Sequence, residues 1–433
     1  MSAQDTNQTA DQIPDNPGLA WNIYYQATSI GQYHGSFPSP YEGPLSLVGR
    51  PEAEASLTAT LFFGFKWRDT QLYFDPEMAG GRGFSDTNGM ANFPNGEMPR
   101  VELATPKPYL ARLYITQDFG FGDQREKVES DANQVAGTRP AKRYSITIGR
   151  FALPDIFDNN RYTNDPRTQF MGWAIMYNGA WDYAADTRGY TWGWMHEFHT
   201  PRWSVRYASV LEPTYANGPH FDTRVLRDRG DQYEGEVDYA PFGHPGAVRL
   251  MHYENRTRSE SYAEAIRLAE ATRTTPNITA NQRPGTLKYG FGLSVDQEIF
   301  KDFGILGRLG WNDGKTESFA FTAMDRLAST GLSFTGTRWR RPGDVVASEV
   351  TVGGLSAVHA LYLAMGGLDF LIGDGKLRYG NETVWESYYS ARVRRGVFAT
   401  FDLQYAINPA YNQDRGPVWI ESLRIHIEGG KGL

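Results

Sequence analysis

The residues of this sequence whose types could do chemistry occur as scattered pairs. His196, Glu197 and His199 in "HEFH" are of the types that hold zinc and accept protons. A zinc motif of this kind needs two His at i and i+4 on one helical face, whereas these are three apart in an alternating segment, with opposite side-chain directions. "GDGK" (373–376) lacks the upstream glycine and the following Ser or Thr of a phosphate-cradling loop. Glu234 and Glu236 are spaced as paired carboxylates, but alternate residues on one strand face explain them equally well. The chain has no Cys, and no Ser-His-Asp set is marked locally. No catalytic residue, metal site or cofactor is therefore expected.

The elements that must position any site are strands. The 433 residues include 46 Gly and 60 aromatics (25 Tyr, 24 Phe and 11 Trp), which suits many strands and tight turns better than packed helices. A mean hydropathy of −0.52 and only short apolar runs exclude a membrane-spanning helix of about 20 residues. They do not exclude a barrel, whose alternating strands average out in a hydropathy window. Net charge of −7 and a pI near 5.7 leave no basic footprint, so no nucleic-acid partner is expected. Residues 1–20 lack the charged and apolar regions of a secretory signal and read as a flexible polar leader.

Period-2 alternation recurs along the chain and predicts 17 candidate strands, from 21–31 to 418–427, including 170–181, 317–326 and 329–338. A closed antiparallel barrel with both ends on one side needs an even number, so one is surplus, and uneven connections place it before residue 182. Short links, "TPR" (200–202), "KDFG" (301–304), "STG" (329–331) and "RRG" (394–396), alternate with long ones at 211–230, 257–286 and 339–383. Residues 259–272 read as a helix within a loop. Short turns on one rim and long loops on the other are the pattern of an outer-membrane barrel.

Opposite the apolar parity lie Lys66, Arg112, Glu197, Arg206, Glu234, Glu236, Asp296, Arg308, Glu386, Asp402 and Arg424, charges of both signs on one face. Burying them unpaired would cost several kcal/mol each, so the alternation predicts a water-filled lumen with lipid outside. In "LKYGFGLSVDQEI" (287–299), Leu293 should face lipid and Ser294 the channel water. Trp67, Tyr190, Trp192, Trp194, Trp203, Trp311, Trp339, Trp385 and Trp419 lie near predicted strand ends, as interfacial girdles would. A soluble sandwich with its polar face outside is the alternative that alternation leaves open.

Longer stretches resemble a known family. "YFDPEMAGGRGFSDTNGMANFPNGE" (73–97), "YLARLYITQDFGFG" (109–122), "TIGRFALPDIFDNNRYTNDPRTQF" (147–170), "GAWDYAADTRGYTWGWMHEF" (179–198) and "LQYAINPAYNQDRGPVWIESLRIHIE" (403–428) are similar to the OprB-type carbohydrate-selective porins, as are "QYHGSFPSPYEGPLSL" (32–47), "GHPGAVRLMHYENR" (243–256) and "GGLDFLIGDGKLRYGNE" (366–382). The resemblance covers about residues 21–428. It implies an all-β transmembrane antiparallel barrel of 16 strands in the bacterial outer membrane, with inward-folded loops narrowing a path for sugars. It divides the chain into the leader 1–20, the barrel 21–428 and an extension 429–433. The family tends to finish on an aromatic residue, whereas this chain runs on as "GGKGL".

A channel selective for sugars needs donors and acceptors that replace water, with an aromatic or apolar patch beside them. Segment 77–106, long enough to fold inward, supplies Glu77, Arg82, Glu97 and Arg100 with Phe84 and Phe93. Arg112 follows on the lumen parity, and Glu197 and Arg206 stand on later strands. Arg150 is a weaker candidate because it shares the parity of Ile146 and Ile148. The expected partners are small sugars and outer-membrane lipids, with monomer and trimer both open. Alternatives are a general or acid-permeable porin on the same barrel, or a soluble glycan-binding β protein.

Overall fold

The computed structural model describes residues 19–98, 104–321 and 323–432. Its strands are β1 (Leu19–His34), β2 (Glu52–Trp67), β3 (Thr70–Gly81), β4 (Lys107–Gly120), β5 (Arg125–Val128), β6 (Gly137–Pro140), β7 (Arg143–Phe151), β8 (Thr191–His199) and β9 (Trp203–Val210). They continue as β10 (Arg229–Tyr239), β11 (Gly246–Ser259), β12 (Arg283–Phe300), β13 (Phe303–Asn312), β14 (Arg326–Thr335), β15 (Val345–Gly354), β16 (Glu382–Arg394), β17 (Val397–Ile407) and β18 (Val418–Gly432). Sixteen of them form one closed antiparallel barrel, sealed by β1 against β18, while β5 and β6 pair only with each other. Short helices α1 (Trp173–Met176), α2 (Tyr262–Thr272) and α3 (Ala357–Ala364) lie in the connections.

Closure removes every sheet edge, which an unpaired backbone in lipid requires. The short connections 68–69, 200–202, 240–245, 301–302, 336–344 and 395–396 share one rim with both strand termini, and the long ones occupy the other. By this asymmetry the short rim is periplasmic and the long loops extracellular. These expectations need correction. Residues 170–181 are not a strand, nor are 317–321 and 323–325, and β15 lies inside the supposed loop 339–383. Ser329–Gly331 belongs to β14, whose turn comes at 336–344. Residues 429–432 form no separate extension, since they continue β18 and pair with Asn22–Tyr25.

The outer face carries exposed Leu61, Leu250, Phe291, Leu309 and Leu423, with Trp67, Trp192, Trp194, Trp203, Trp339 and Trp419 also exposed. Tyr190 departs from the girdle expectation, because its side chain is fully buried inside. The lumen is not simply water-filled. Extracellular connections fold in and bury Phe84, Phe93, Phe157, Trp173, Trp181 and Phe321 as one apolar core within the barrel. Ser294 does face inward, yet it is buried beneath Asn160, which donates to its hydroxyl at 3.1 Å.

One connection breaks the rim rule. Residues 121–142, on the periplasmic side, carry the β5–β6 hairpin and turn back into the barrel mouth. Asn22 donates to the carbonyls of Asp131 (2.8 Å) and Gln134 (2.7 Å), and Lys66 to that of Thr138 (2.7 Å). Val135 is buried over Gly64, where a Cβ would stand 2.7 Å from the valine methyl. Glycine there is the seat of the hairpin.

Candidate functional site

The lumen charges foreseen from alternation hold the inward loops by their backbones. Arg308 donates to the carbonyls of Ile175 (2.7 Å) and Thr163 (2.6 Å), and Arg424 to those of Pro166 (2.7 Å) and Gln169 (2.6 Å). Glu386 accepts from the amides of Met171 (2.5 Å) and Gly172 (2.9 Å), while Glu382 accepts from Ala91, Asn92 and Ala410. A buried charge bonded to fixed backbone dipoles avoids the cost of an orphaned ion and fixes the loop's position. Segment 152–190, rich in Asn, Asp, Gly and Pro, is thereby pinned across the barrel.

Segment 152–190 meets the wall of β3, β4 and β7. Pro76 lacks a ladder donor, and the β3–β4 register shifts between Asp75 and Pro76. This bulge leaves Ala111 extra and brings Tyr109 and Arg112, of opposite parity, to the same side. Arg112 donates from Nε and Nη2 to the two oxygens of Asp155 at 2.6 Å each, and from Nη1 to Asp75 at 3.4 Å. Its guanidinium lies 5.2 Å from the Tyr190 ring centre. Glu77 accepts from Tyr190 (2.9 Å), Thr60 (2.5 Å), Arg167 (2.9 Å) and Tyr109. Arg167 continues to Glu97 at 3.1 Å, which also accepts from Thr58 at 2.8 Å. Gly149, at φ 142°, comes so close to β4 that a Cβ would lie 2.2 Å from the Leu113 carbonyl. Beyond it Arg150 is buried and donates to Leu110 (2.8 Å) and Asp186 (2.6 Å). Arg188 stands 4.2 Å over the ring of Tyr109.

On the periplasmic side of Arg112 and Asp155 opens a cavity of about 580 Å³, lined by Asp155, Asn159 and Asn164 of the inward segment and by Lys66, Thr116 and Glu197 of the wall. Its floor is the hairpin: Asn133 lines it and donates to Asp75 at 2.9 Å. A smaller space of about 160 Å³, lined by Asn88, Thr187 and Asn217, lies among the extracellular loops. Glu197 bonds Arg206 at 3.2 Å, and Arg206 reaches Glu234 and Glu236 at 2.7 Å each. Arg249 extends the ladder to Glu236 (3.3 Å) and Asp296 (2.7 Å).

The structure thus brings Glu77 and Arg112 onto one wall, with Glu197 and Arg206 farther along it, and links Glu97, in the connection after β3, to Glu77 through Arg167. Arg82 is exposed, sharing an open groove with outward-facing Tyr33, Phe401 and Leu423. Phe84 and Phe93 are sealed in the apolar core and present no ring face to solute. Arg100 lies outside the described residues. Sequence reasoning passed over Tyr109, Asp155 and Arg167 and took Tyr190 for a girdle residue; the signal for Tyr109 was Pro76, which marks a bulge in a paired strand.

The extracellular connections after β13 and β15 hold a buried charge cluster. His359 in α3 contacts Asp325 and Asp369 at 3.0 Å each, stacked on Tyr262 at 4.1 Å between ring centres. Burial works to lower its basicity, but the two carboxylates prevail and lift its pKa to about 9. Glu317, whose Oε2 accepts from Gln282 at 2.8 Å, is pushed by burial to about 8. Among the described residues no group of His, Asp and Glu could hold a metal ion.

A sixteen-stranded barrel with short periplasmic turns, an apolar belt and inward-folded loops defines an outer-membrane porin. The model of the carbohydrate-selective porin, OprB family, matches residues 50–428, and the chain belongs to that family. It is a sugar-selective diffusion channel of the bacterial outer membrane. The high-pH structure of Pseudomonas putida OprB is 15% identical, with 95% of this chain and 94% of that chain covered at a TM-score of 0.71, and has the same fold. The low-pH structure of that protein (13% identical, covering 95% and 93%, TM-score 0.49) and the outer membrane channel DcaP of Acinetobacter baumannii (8%, covering 96% and 98%, 0.49) are more distant. No curated protein matches the chain.

Proposed function

We propose that sugars cross along the β3–β4–β7 wall and are selected beside the Arg112–Asp155 pair. The observation that carries this reading is the position of Asp155, which is bound by Arg112 and also lines the 580 Å³ cavity. A solute leaving the extracellular loops for that cavity passes Glu77, Tyr109, Tyr190 and Arg112. Their hydroxyls, carboxylates and forked N–H groups can exchange partners with sugar hydroxyls as water is stripped. Opposite charges are paired there, so neither cations nor anions gain a net field, which favours a neutral solute.

Glu97 and Arg167 set the far side of this passage, and Glu197 and Arg206 line its exit. The test is a liposome-swelling series comparing monosaccharides, disaccharides and amino acids of matched size, with wild type and Arg112→Ala. The reading requires monosaccharides to enter faster than amino acids of equal size, and the variant to lose that ratio. Equal ratios in both proteins would move selection elsewhere in the lumen.

A further inference from the structure

The outer wall at the extracellular ends of β10–β12 departs from the apolar pattern of the rest of the belt. Arg229 and Arg256 stand directly opposite each other across the β10–β11 ladder. Both face outward, since their neighbours Gly230 and Asn255 point inward and are buried. Like charges in directly opposed positions repel, so such a pair persists where anions meet it. Protein carboxylates supply part of the balance: Asp231 accepts from Arg229 (2.9 Å) and Arg256 (3.5 Å), and Glu254 from Arg256 (2.9 Å). Arg258, exposed on the same face of β11, makes no ion pair among the described residues. Three guanidinium groups therefore face two carboxylates.

The level of this patch is fixed by its neighbours. Immediately below it stand outward Tyr289 and Trp311, 5.7 Å apart between ring centres, and then Phe291 and Leu250, both well exposed. Aromatic rings of this kind mark the boundary between acyl chains and headgroups, which puts the arginines at headgroup height. Beside Arg229 the wall is indented by a crevice of about 200 Å³, lined by Trp192, Trp194, Leu211 and Val225. Cations above an apolar slot suit an amphiphile with an anionic head.

We propose that this face binds a phosphorylated glycolipid of the outer leaflet, its phosphates on Arg229, Arg256 and Arg258 and its apolar portion in the Trp192–Trp194 crevice. Guanidinium matches phosphate with two parallel N–H donors, and the partly exposed side chains of Arg229 and Arg256 keep donors that their carboxylates do not use. The inference concerns the outside of the barrel and is independent of the sugar path inside it.

The test is native mass spectrometry of the detergent-solubilised full chain titrated with bisphosphorylated lipid A, with dephosphorylated lipid A and with inorganic phosphate. Wild type should retain bisphosphorylated lipid A, and Arg229→Gln/Arg256→Gln/Arg258→Gln should weaken retention about tenfold or more. Arg258→Gln breaks no ion pair and should fold, so a partial loss is expected in that variant even if the triple one misassembles. Heat-shifted gel migration and liposome swelling should be unchanged in the single variant. Equal retention by wild type and the single variant, or equal retention of dephosphorylated lipid A, overturns the proposal. Displacement of bound lipid A by an equal concentration of inorganic phosphate would overturn it too, leaving only a general anion patch.

Discussion

Arg112 of β4 and Asp155 of the inward segment form a two-point pair, each carboxylate oxygen accepting one N–H at 2.6 Å. The pair joins barrel wall to loop at the head of the lumen cavity that Asp155 lines. Arg112→Ala should raise single-channel conductance and weaken current block by added glucose, because the pair is lost and the passage widens. Asp155→Asn, which keeps shape but not charge, should give a smaller change. Arg82→Ala should leave both quantities as in wild type, since Arg82 lies exposed in the outer groove. Planar-bilayer recording with a glucose titration measures all three.

Leu250 of β11 is 64% exposed on the outer wall. Leu250→Arg should cost about 2–4 kcal/mol of folding stability in bilayers, the range for a cation on the lipid face near the midplane. Ser294→Arg should also destabilise, for a different reason: the larger side chain must displace Asn160 and the segment behind it. Urea titrations in lipid vesicles give both costs. Only Ser294→Arg should in addition alter conductance.

His359 has its pKa lifted from 6.5 to about 9 by Asp325 and Asp369. A base whose folded pKa is raised contributes stability that is complete below pH 6.5 and fades as pH rises through 9. The connections carrying Asp325 and α3 should therefore loosen between those values. Hydrogen exchange of residues 313–321 and 355–376, compared at pH 6 and pH 10 after correction for intrinsic rates, should show protection falling by the equivalent of a few kcal/mol. His359→Gln should remove the pH dependence of 355–376 and leave in 313–321 only the part that Glu317 gives below pH 8.

Glu317 gives the opposite case. Its pKa is raised from 4.5 to about 8, so the folded state holds a proton that the unfolded chain has released. Stability falls as pH rises from 4.5 towards 8 and is level above that. Glu317→Gln mimics the protonated form. It should match wild type near pH 4 and exceed it by a few kcal/mol above pH 8 in thermal unfolding.

Alternation made the barrel legible because one face of each strand meets lipid everywhere. It failed where the inside is apolar too. "FMGWAIMYNGAW" (170–181) and "ESFAFTAMDR" (317–326) look like strands because Trp173, Ile175, Phe319 and Phe321 are buried, but in a core that fills the lumen. β15 escaped notice because the turn residues Pro342, Gly343 and Asp344 precede it and Val345 and Val346 interrupt the alternation. Arg112 could be placed by parity, whereas Tyr109 could not, since the bulge at Pro76 reverses the parity on one side of it. Asp155 and Arg167 lie in irregular backbone, where no period specifies direction.

The periplasmic hairpin has a consequence for transport that one-site thinking misses. A solute that clears Arg112 and Asp155 next meets Asn133, and both gates lean on the same Asp75. Two narrowings along one route behave as resistors in series: their resistances add, and the larger sets the flux. Widening the upper one alone can raise current only until the lower one dominates. Shortening 121–142 should therefore change conductance little in wild type and markedly in Arg112→Ala, so that the gain from both changes exceeds the sum of the separate gains.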